Sequence, residues 1–220
     1  ISSSGTGNRV MTSPDGINWT SRTSATDNSW SSVTYGGGRF VVVGNSGTGD
    51  RVMTSSDGIT WATSSTSGLD NLWQSVTYGN GLFVAVSLSI FGTINDRVMT
   101  SPDRVTWTAR TAAANNDWTS VTYGSGLFVA VAQSGSGNRV MTSPDGTTWT
   151  SRTNPVNNMW TSVIYGNGLF VAVSNTGSGD RVMISATGTS WATTTSIVDN
   201  QWTSVTYGNG RYVAVSNSGT

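Results

Sequence analysis

The 220-residue sequence contains no lysine, glutamate, histidine or cysteine. Its eleven cations are all arginine and its eleven anions all aspartate, so the formal net charge is zero. Each absence removes a class of chemistry. Without cysteine there is no disulfide framework and no thiol nucleophile, and nothing marks a redox compartment. Without histidine there is no Ser-His-Asp relay, and without either residue a zinc cluster is excluded. Hydrolysis by paired carboxylates needs two acids in unlike surroundings. Here every aspartate belongs to a repeated position or to the irregular Asp117, and no such pair stands out. Zero net charge argues against nucleic acid and anionic membranes, which need a basic face to displace counterions. The longest apolar runs, such as LFVAV at 82–86, are far too short to cross a bilayer. No D-x-D-x-D calcium loop occurs, so the composition predicts no enzyme, no metal and no cofactor.

What the chain does have is repetition. DNSWSSVTYG at 27–36 returns as DNLWQSVTYG, NNDWTSVTYG, NNMWTSVIYG and DNQWTSVTYG. Arg9, Arg51, Arg97, Arg139 and Arg181 set the register, at intervals of 42, 46, 42 and 42 residues. The long interval comes from SLSIFGTIND (87–96), with three extra residues, and SSTSGLDNLW (64–73), with one. Self-similarity at this period marks a solenoid, a propeller or an array. Within the second copy four short strands are predicted, SVTYG (75–79), LFVAVS (82–87), RVMTS (97–101) and VTWTAR (105–110). Val, Thr, Tyr, Trp and Phe dominate them, and tight-turn signals such as Gly-Asn-Gly and Pro-Asp-Gly separate their counterparts along the chain. LFVAV is apolar on both faces, as a strand squeezed between neighbouring sheets must be. TWTSRT-type segments alternate, which suits an exposed outer edge.

Four antiparallel strands per 42 residues make one propeller blade. The chain stops at RYVAVSNSGT after a second-strand sequence and starts at ISSSGTGNRVMTS with a third. The expectation is therefore an all-β, five-bladed β-propeller occupying residues 1–220 as one domain. Its blades are expected at about 30–66, 73–112, 118–154, 160–196, and 202–220 together with 1–24. The ring would close through that last blade, shared between the N- and C-termini. The alternative is an open array of β-units.

SPDGINW (13–19), SSDGITW (55–61) and SPDGTTW (143–149) resemble the Asp-box, or BNR, repeat of β-propellers, shortened by one residue between Asp and Gly. The resemblance implies a turn between the third and fourth strands of each blade, away from any active site. The copies SPDRVTW (101–107) and SATGTSW (185–191) lose the Gly and the Asp respectively, which agrees with a turn-forming role. Sialidases of the Asp-box class use clustered arginines with Tyr, Glu and Asp. This chain has no Glu, and its Tyr residues precede the Gly-x-Gly turns at the opposite end of the strands.

In such a blade the inter-blade loop and the loop between strands two and three share one face. That face collects Trp30, Trp73, Trp118, Trp160 and Trp202, with Asn28, Asn71, Asn116, Asn158 and Asn200 two places earlier. It also collects Arg9, Arg51, Arg97, Arg139 and Arg181, each preceded by Asn or Asp. Indole faces with amide and guanidinium groups are the equipment of a sugar site. Repetition on a rigid disc adds avidity, as in five-bladed propeller lectins, which this architecture resembles. The competing reading makes each Trp a wedge between blades, each Asn a loop-closing group and each Arg a tie to a neighbouring Asp. Symmetric packing repeats as faithfully as symmetric binding, so identity among copies does not choose between them.

The sequence thus predicts a monomeric, non-enzymatic, multivalent glycan-binding propeller, extracellular or displayed on a cell or virion surface. Its alternative is a structural or adhesive repeat module of a bacterial surface or phage tail protein, without small-ligand binding. The apolar extension with Ile90, Phe91 and Ile94 is expected to make one copy unlike the rest.

Overall fold

The computed structural model describes residues 1–66, 69–88 and 96–219, and the extension with Ile90, Phe91 and Ile94 lies outside them. Among the described residues twenty strands form six antiparallel sheets. The first complete sheet has β3 (Trp30–Gly36), β4 (Arg39–Gly44), β5 (Val52–Ser55) and β6 (Ala62–Ser64). The second has β7 (Leu72–Gly79), β8 (Leu82–Leu88), β9 (Val98–Ser101) and β10 (Thr108–Arg110). The third has β11 (Trp118–Gly124), β12 (Leu127–Ala132), β13 (Val140–Ser143) and β14 (Thr150–Arg152). The fourth has β15 (Trp160–Gly166), β16 (Leu169–Ser174), β17 (Val182–Ser185) and β18 (Ala192–Thr194). Strand order follows chain order in all four, and their first strands pack side by side along the chain. Among the described residues no helix is long and apolar enough to cross a membrane.

The two-residue hairpin turns explain the first pairing. Asn80 and Gly81 both take positive φ, 48° and 78°, the backbone of a type I′ turn whose twist matches the flanking strands. Gly79, just before this turn, has a different task. A Cβ there would overlap the ring of Tyr123 from the next sheet, and Gly36, Gly124 and Gly166 receive Tyr78, Tyr165 and Tyr207 in the same way.

Each first strand also carries a bulge: Trp118 lies opposite Ala132, but Ser120 lies opposite Val131. The extra residue, Thr119, is thereby turned across the seam, where its hydroxyl donates to Val131 O at 3.1 Å and Trp160 O at 2.7 Å. One residue on, Ser120 Oγ accepts the N–H of Val163 in the following sheet at 3.1 Å. Apolar packing fills the same seam. Val84 and Val86 of β8 meet Trp118, Phe128, Ala130 and Met141 of the third sheet, while Phe83 and Ala85 face back toward Val41 and Val43. A strand buried on both faces has no polar alternation to show, which is why LFVAV reads as it does.

The outer strands are shorter than the sequence suggests. β10 begins at Thr108 rather than at 105 because the preceding turn consumes its donors: Asp103 Oδ1 accepts the N–H groups of Val105 at 2.9 Å and Thr106 at 2.8 Å. Asp57 holds Ile59 and Thr60 identically, both at 2.8 Å. These bonds favour the ionised carboxylate, and Asp57 and Asp103 are held at about 2, Asp15 and Asp145 lower still. Thr187 substitutes weakly, its hydroxyl accepting from Thr189 and Ser190 at 3.3 and 3.4 Å. Arg104 occupies the Gly position with a positive φ of 73°.

The closing blade is the expectation that the structure does not meet. β1 (Val10–Thr12) pairs only with β2 (Thr20–Arg22), and β19 (Trp202–Gly208) only with β20 (Arg211–Ser216), leaving two separate two-stranded sheets. One position of the shared register is filled from within the chain's first residues. Ser2 N–H donates to Arg9 O at 2.9 Å, as Gly44 N–H does to Arg51 O at 2.9 Å, so Ser2 already stands where Ser216 would pair. Met11, Val33, Tyr35, Val213 and Val215 are accordingly exposed, and Gly208 has no ring in its socket.

Candidate functional site on the loop face

The loops leading into the first strands and those joining second to third strands meet at one end of the sheets. Asn28 shows how they are held. It lies two residues before β3 and is buried, and its Nδ2 donates to Asp50 O and Asp50 Oδ1, both at 3.0 Å. Asn158 holds Asp180 O and Oδ1 at 3.0 and 2.9 Å, and Asn116 holds Asn138 O at 2.8 Å. Asn71 binds Asp96 O. Asn200, half-buried, follows the fifth Arg loop, and its carbonyl accepts from Arg181 Nη1 at 3.0 Å. Four of the five amides expected to meet sugar hydroxyls thus fasten one loop to the other.

The indoles depart furthest from the sugar-stacking expectation. Trp73, Trp118 and Trp160 are fully buried and Trp30 is 3% exposed, so none offers a face to a pyranose. Trp118 Nε1 donates to Ala114 O at 3.2 Å, and Trp73 Nε1 to Leu69 O at 2.9 Å. They are wedges because the space between two sheets, roughly 10 Å, is filled most completely by the largest side chain. Trp202 alone is half-buried, beside an apolar hollow of about 440 Å³ lined by Val173, Val182, Val198 and Ala214. Its sheet lacks the third strand that supplies Met183 against Trp160.

The arginines are ties. Arg51 Nε donates to Gly47 O at 2.9 Å in its own loop, and Nη1 reaches Asn71 O of the next sheet at 2.8 Å. Arg181 repeats this with Gly177 O and Asn200 O, each at 3.0 Å. Carboxylates complete the arrangement: Arg9–Asp27 at 3.7 Å, Arg51–Asp70 at 3.6 Å, Arg97–Asp117 at 3.2 Å and Arg181–Asp199 at 3.5 Å. Desolvation lowers the Arg51 pKa and the nearby Asp70 and Asp50 charges oppose that shift. Arg139 is different. Its Nε donates to Gly135 O at 2.8 Å, but Nη1 is buried without a partner, and desolvation alone shifts its pKa downward.

Sequence reasoning passed over the hydroxyls of this face. Ser46, Ser134, Thr176 and Ser218 accept the N–H groups of Ser29, Asp117, Met159 and Gln201 at 2.7–2.8 Å, bracing the variable residue before each Trp. The signal was present as a hydroxyl in every one of these copies, hidden by the abundance of Ser and Thr elsewhere. Among the described residues no His/Cys/Asp/Glu cluster of metal-binding size occurs.

No protein-family model matches the sequence, and no curated protein resembles it. Solved structures do. Virginiamycin B lyase from Staphylococcus aureus is similar at 15% identity and TM-score 0.73, over 88% of this chain and 65% of that one. Its catalytically inactive histidine-to-alanine variant with quinupristin gives 12% and 0.74, over 90% and 67%. YCF48 bound to the D1 peptide gives 16% and 0.64, over 92% and 66%. This chain therefore spans about two thirds of their length. With the repeated four-stranded sheets, these likenesses define its class: an all-β protein of propeller fold, with about five blades.

Proposed function

We propose that this chain is a structural or adhesive repeat module, without catalytic activity, displayed outside a cell or on a virion surface. One observation carries this reading: the recurring Trp, Asn and Arg of the loop face are used up internally, as wedges, loop clasps and ties. A five-fold sugar site made from those residues is disfavoured by the same burial. The Ser-x-Asp-Gly turns, read as shortened Asp-boxes, serve the same rigidity by binding their own backbone. The absence of histidine separates the chain from virginiamycin B lyase, whose histidine-to-alanine variant is inactive, and supports a non-enzymatic role. YCF48, a propeller bound to a peptide, supports adhesion as a task for such a surface. The test is a glycan array restricted to neutral saccharides, which is expected to stay blank. Neutral-glycan binding at several sites per chain, removed stepwise by Asn28→Ala, Asn71→Ala and Asn116→Ala in folded variants, restores the lectin reading and defeats this one.

A further inference from the structure

The five loop corners are alike in fold and unlike in charge. In four of them an arginine is balanced by an aspartate within 3.7 Å, at the position of Asp27, Asp70 or Asp199, or from Asp117 in the third copy. At the corner of the β11–β14 sheet that position is Asn157, and the residue before the arginine is Asn138. Neither loop of this corner, 133–139 or 153–159, contains an acid, which is true of no other copy.

The fold there is intact. Gly137 N–H donates to Asn157 Oδ1 at 2.7 Å, as Gly49 N–H does to Asp70 Oδ1 at 2.7 Å. That bond fixes the amide's orientation and leaves Nδ2 as a donor, held only by a long 3.4 Å contact to Ser136 Oγ. Two neighbouring carboxylates are engaged elsewhere, Asp117 with Arg97 and Asp180 with Asn158. The corner therefore holds a half-buried guanidinium, an amide N–H₂ and a hydroxyl, with no anion of its own.

A groove of about 430 Å³ adjoins it, within the size range of small-ligand sites. Its walls include Arg152, Thr153, Asn154, Thr189 and Ser190. Asn154 links groove and corner: its Oδ1 accepts the backbone N–H of Arg139 at 2.7 Å and its Nδ2 donates to Asn157 Oδ1 at 3.1 Å. Arg152 adds a second cation, whose Nε donates to Thr142 Oγ1 at 2.9 Å and which forms no ion pair among the described residues.

We propose that this corner binds the carboxylate of an acidic saccharide, such as a uronic acid, with Arg139 and the Asn157 amide as its donors. The choice of carboxylate follows from the other copies, where a carboxylate is the partner of the same guanidinium. The choice of saccharide follows from the rim, where exposed Ser136, Thr153 and Thr189 offer hydroxyls and Pro155 is the one exposed apolar residue of the groove wall. One ion pair with a few hydrogen bonds suits a dissociation constant on the order of 1 mM.

Titration calorimetry of the full chain with glucuronate, glucose and a short acidic peptide tests this. Glucuronate is expected to bind at one site and glucose not at all. Arg139→Gln is expected to abolish binding. Asn157→Asp, which supplies the internal carboxylate of the other copies without disturbing the fold, is expected to weaken it at least about 10-fold. Conversely, Asp27→Asn, which leaves the Arg9 corner without an acid because Asn8 precedes that arginine, is expected to raise the stoichiometry from one site to two. Glucuronate binding that Asn157→Asp leaves unchanged, an absence of glucuronate binding at 20 mM-scale ligand (roughly twenty times the expected constant), or a preference for the peptide each overturns the proposal. None of these results bears on the neutral-glycan array, so the two readings fail separately.

Discussion

Trp118 and Trp202 occupy the same position in the repeat but different surroundings, and truncating each to alanine measures what the seam contributes. Trp118 is fully buried among Val84, Val86, Val98, Ala112 and Met141, and its indole N–H is bonded to Ala114 O at 3.2 Å. Removing a buried aromatic of this size costs about 3–5 kcal/mol, through lost transfer energy and the cavity left between two sheets. The stranded Ala114 carbonyl belongs inside that range rather than on top of it. Trp202 is half-buried, and its Nε1 has no partner. Its truncation removes less contact and no hydrogen bond, for an expected loss of about 1–2 kcal/mol. Urea unfolding followed by far-UV circular dichroism gives both values. Repeat proteins can unfold in stages, so tryptophan fluorescence must trace the same transition before either midpoint becomes a free energy. Equal losses at the two positions would refute the reasoning, because they would mean that Trp202 is sheltered as completely as Trp118.

Two other outcomes follow from the same geometry. Gly124→Ala places a methyl group against the Tyr165 ring and is expected to destabilise by about 1–3 kcal/mol, whereas Gly208→Ala, with nothing within 4 Å, is expected to be near neutral in the same denaturation assay. The depressed carboxylates set the acid response: Asp57 and Asp103, at about 2 in the folded chain, stabilise it above the unfolded value near 3.8 and lose that contribution as pH falls toward 2. A urea midpoint that stays flat from pH 5 to pH 2 would contradict this, and Asp103→Asn is expected to shallow the decline.

Much of the fold was legible because backbone requirements leave residue-specific marks. Asn80-Gly81 announces a type I′ turn, and the unbroken LFVAV run announces a strand covered on both sides. The strand count per repeat, their antiparallel order and the sharing of one end by the Ser-x-Asp-Gly and Gly-x-Gly turns all follow from such marks. Arg104 Nη1 reaching Gly37 O at 3.2 Å is a direct contact between those two turns. The site was not legible in this way. A tryptophan that wedges and one that stacks a sugar are spelled identically, and only the partners of Trp118 on the preceding sheet separate them. Nor could the closing blade be decided from strand order, because a shared sheet needs two edges to meet, and here β1 pairs with β2 and β20 with β19 alone.

Near-identity among copies draws attention to what is shared, yet what is shared here is consumed by holding the sheets together. A residue engaged in four of the five copies, such as Asn28 with the Asp50 carbonyl or Arg51 with Asp70, loosens a loop when it changes, so it serves stability and is unavailable to a ligand. Freedom to acquire a ligand exists only where a copy drops one member of a tie and keeps the fold. Replacing aspartate by asparagine at 157 does this with the smallest possible change, because the amide oxygen still accepts Gly137 N–H while the negative charge is gone. The unbalanced guanidinium left behind is stabilised by an outside anion more than its four counterparts are, since their charge is already met. In a molecule built from repeats, binding is therefore to be sought at the departures from the pattern, and at Arg139 the departure removes the aspartate that its four counterparts have.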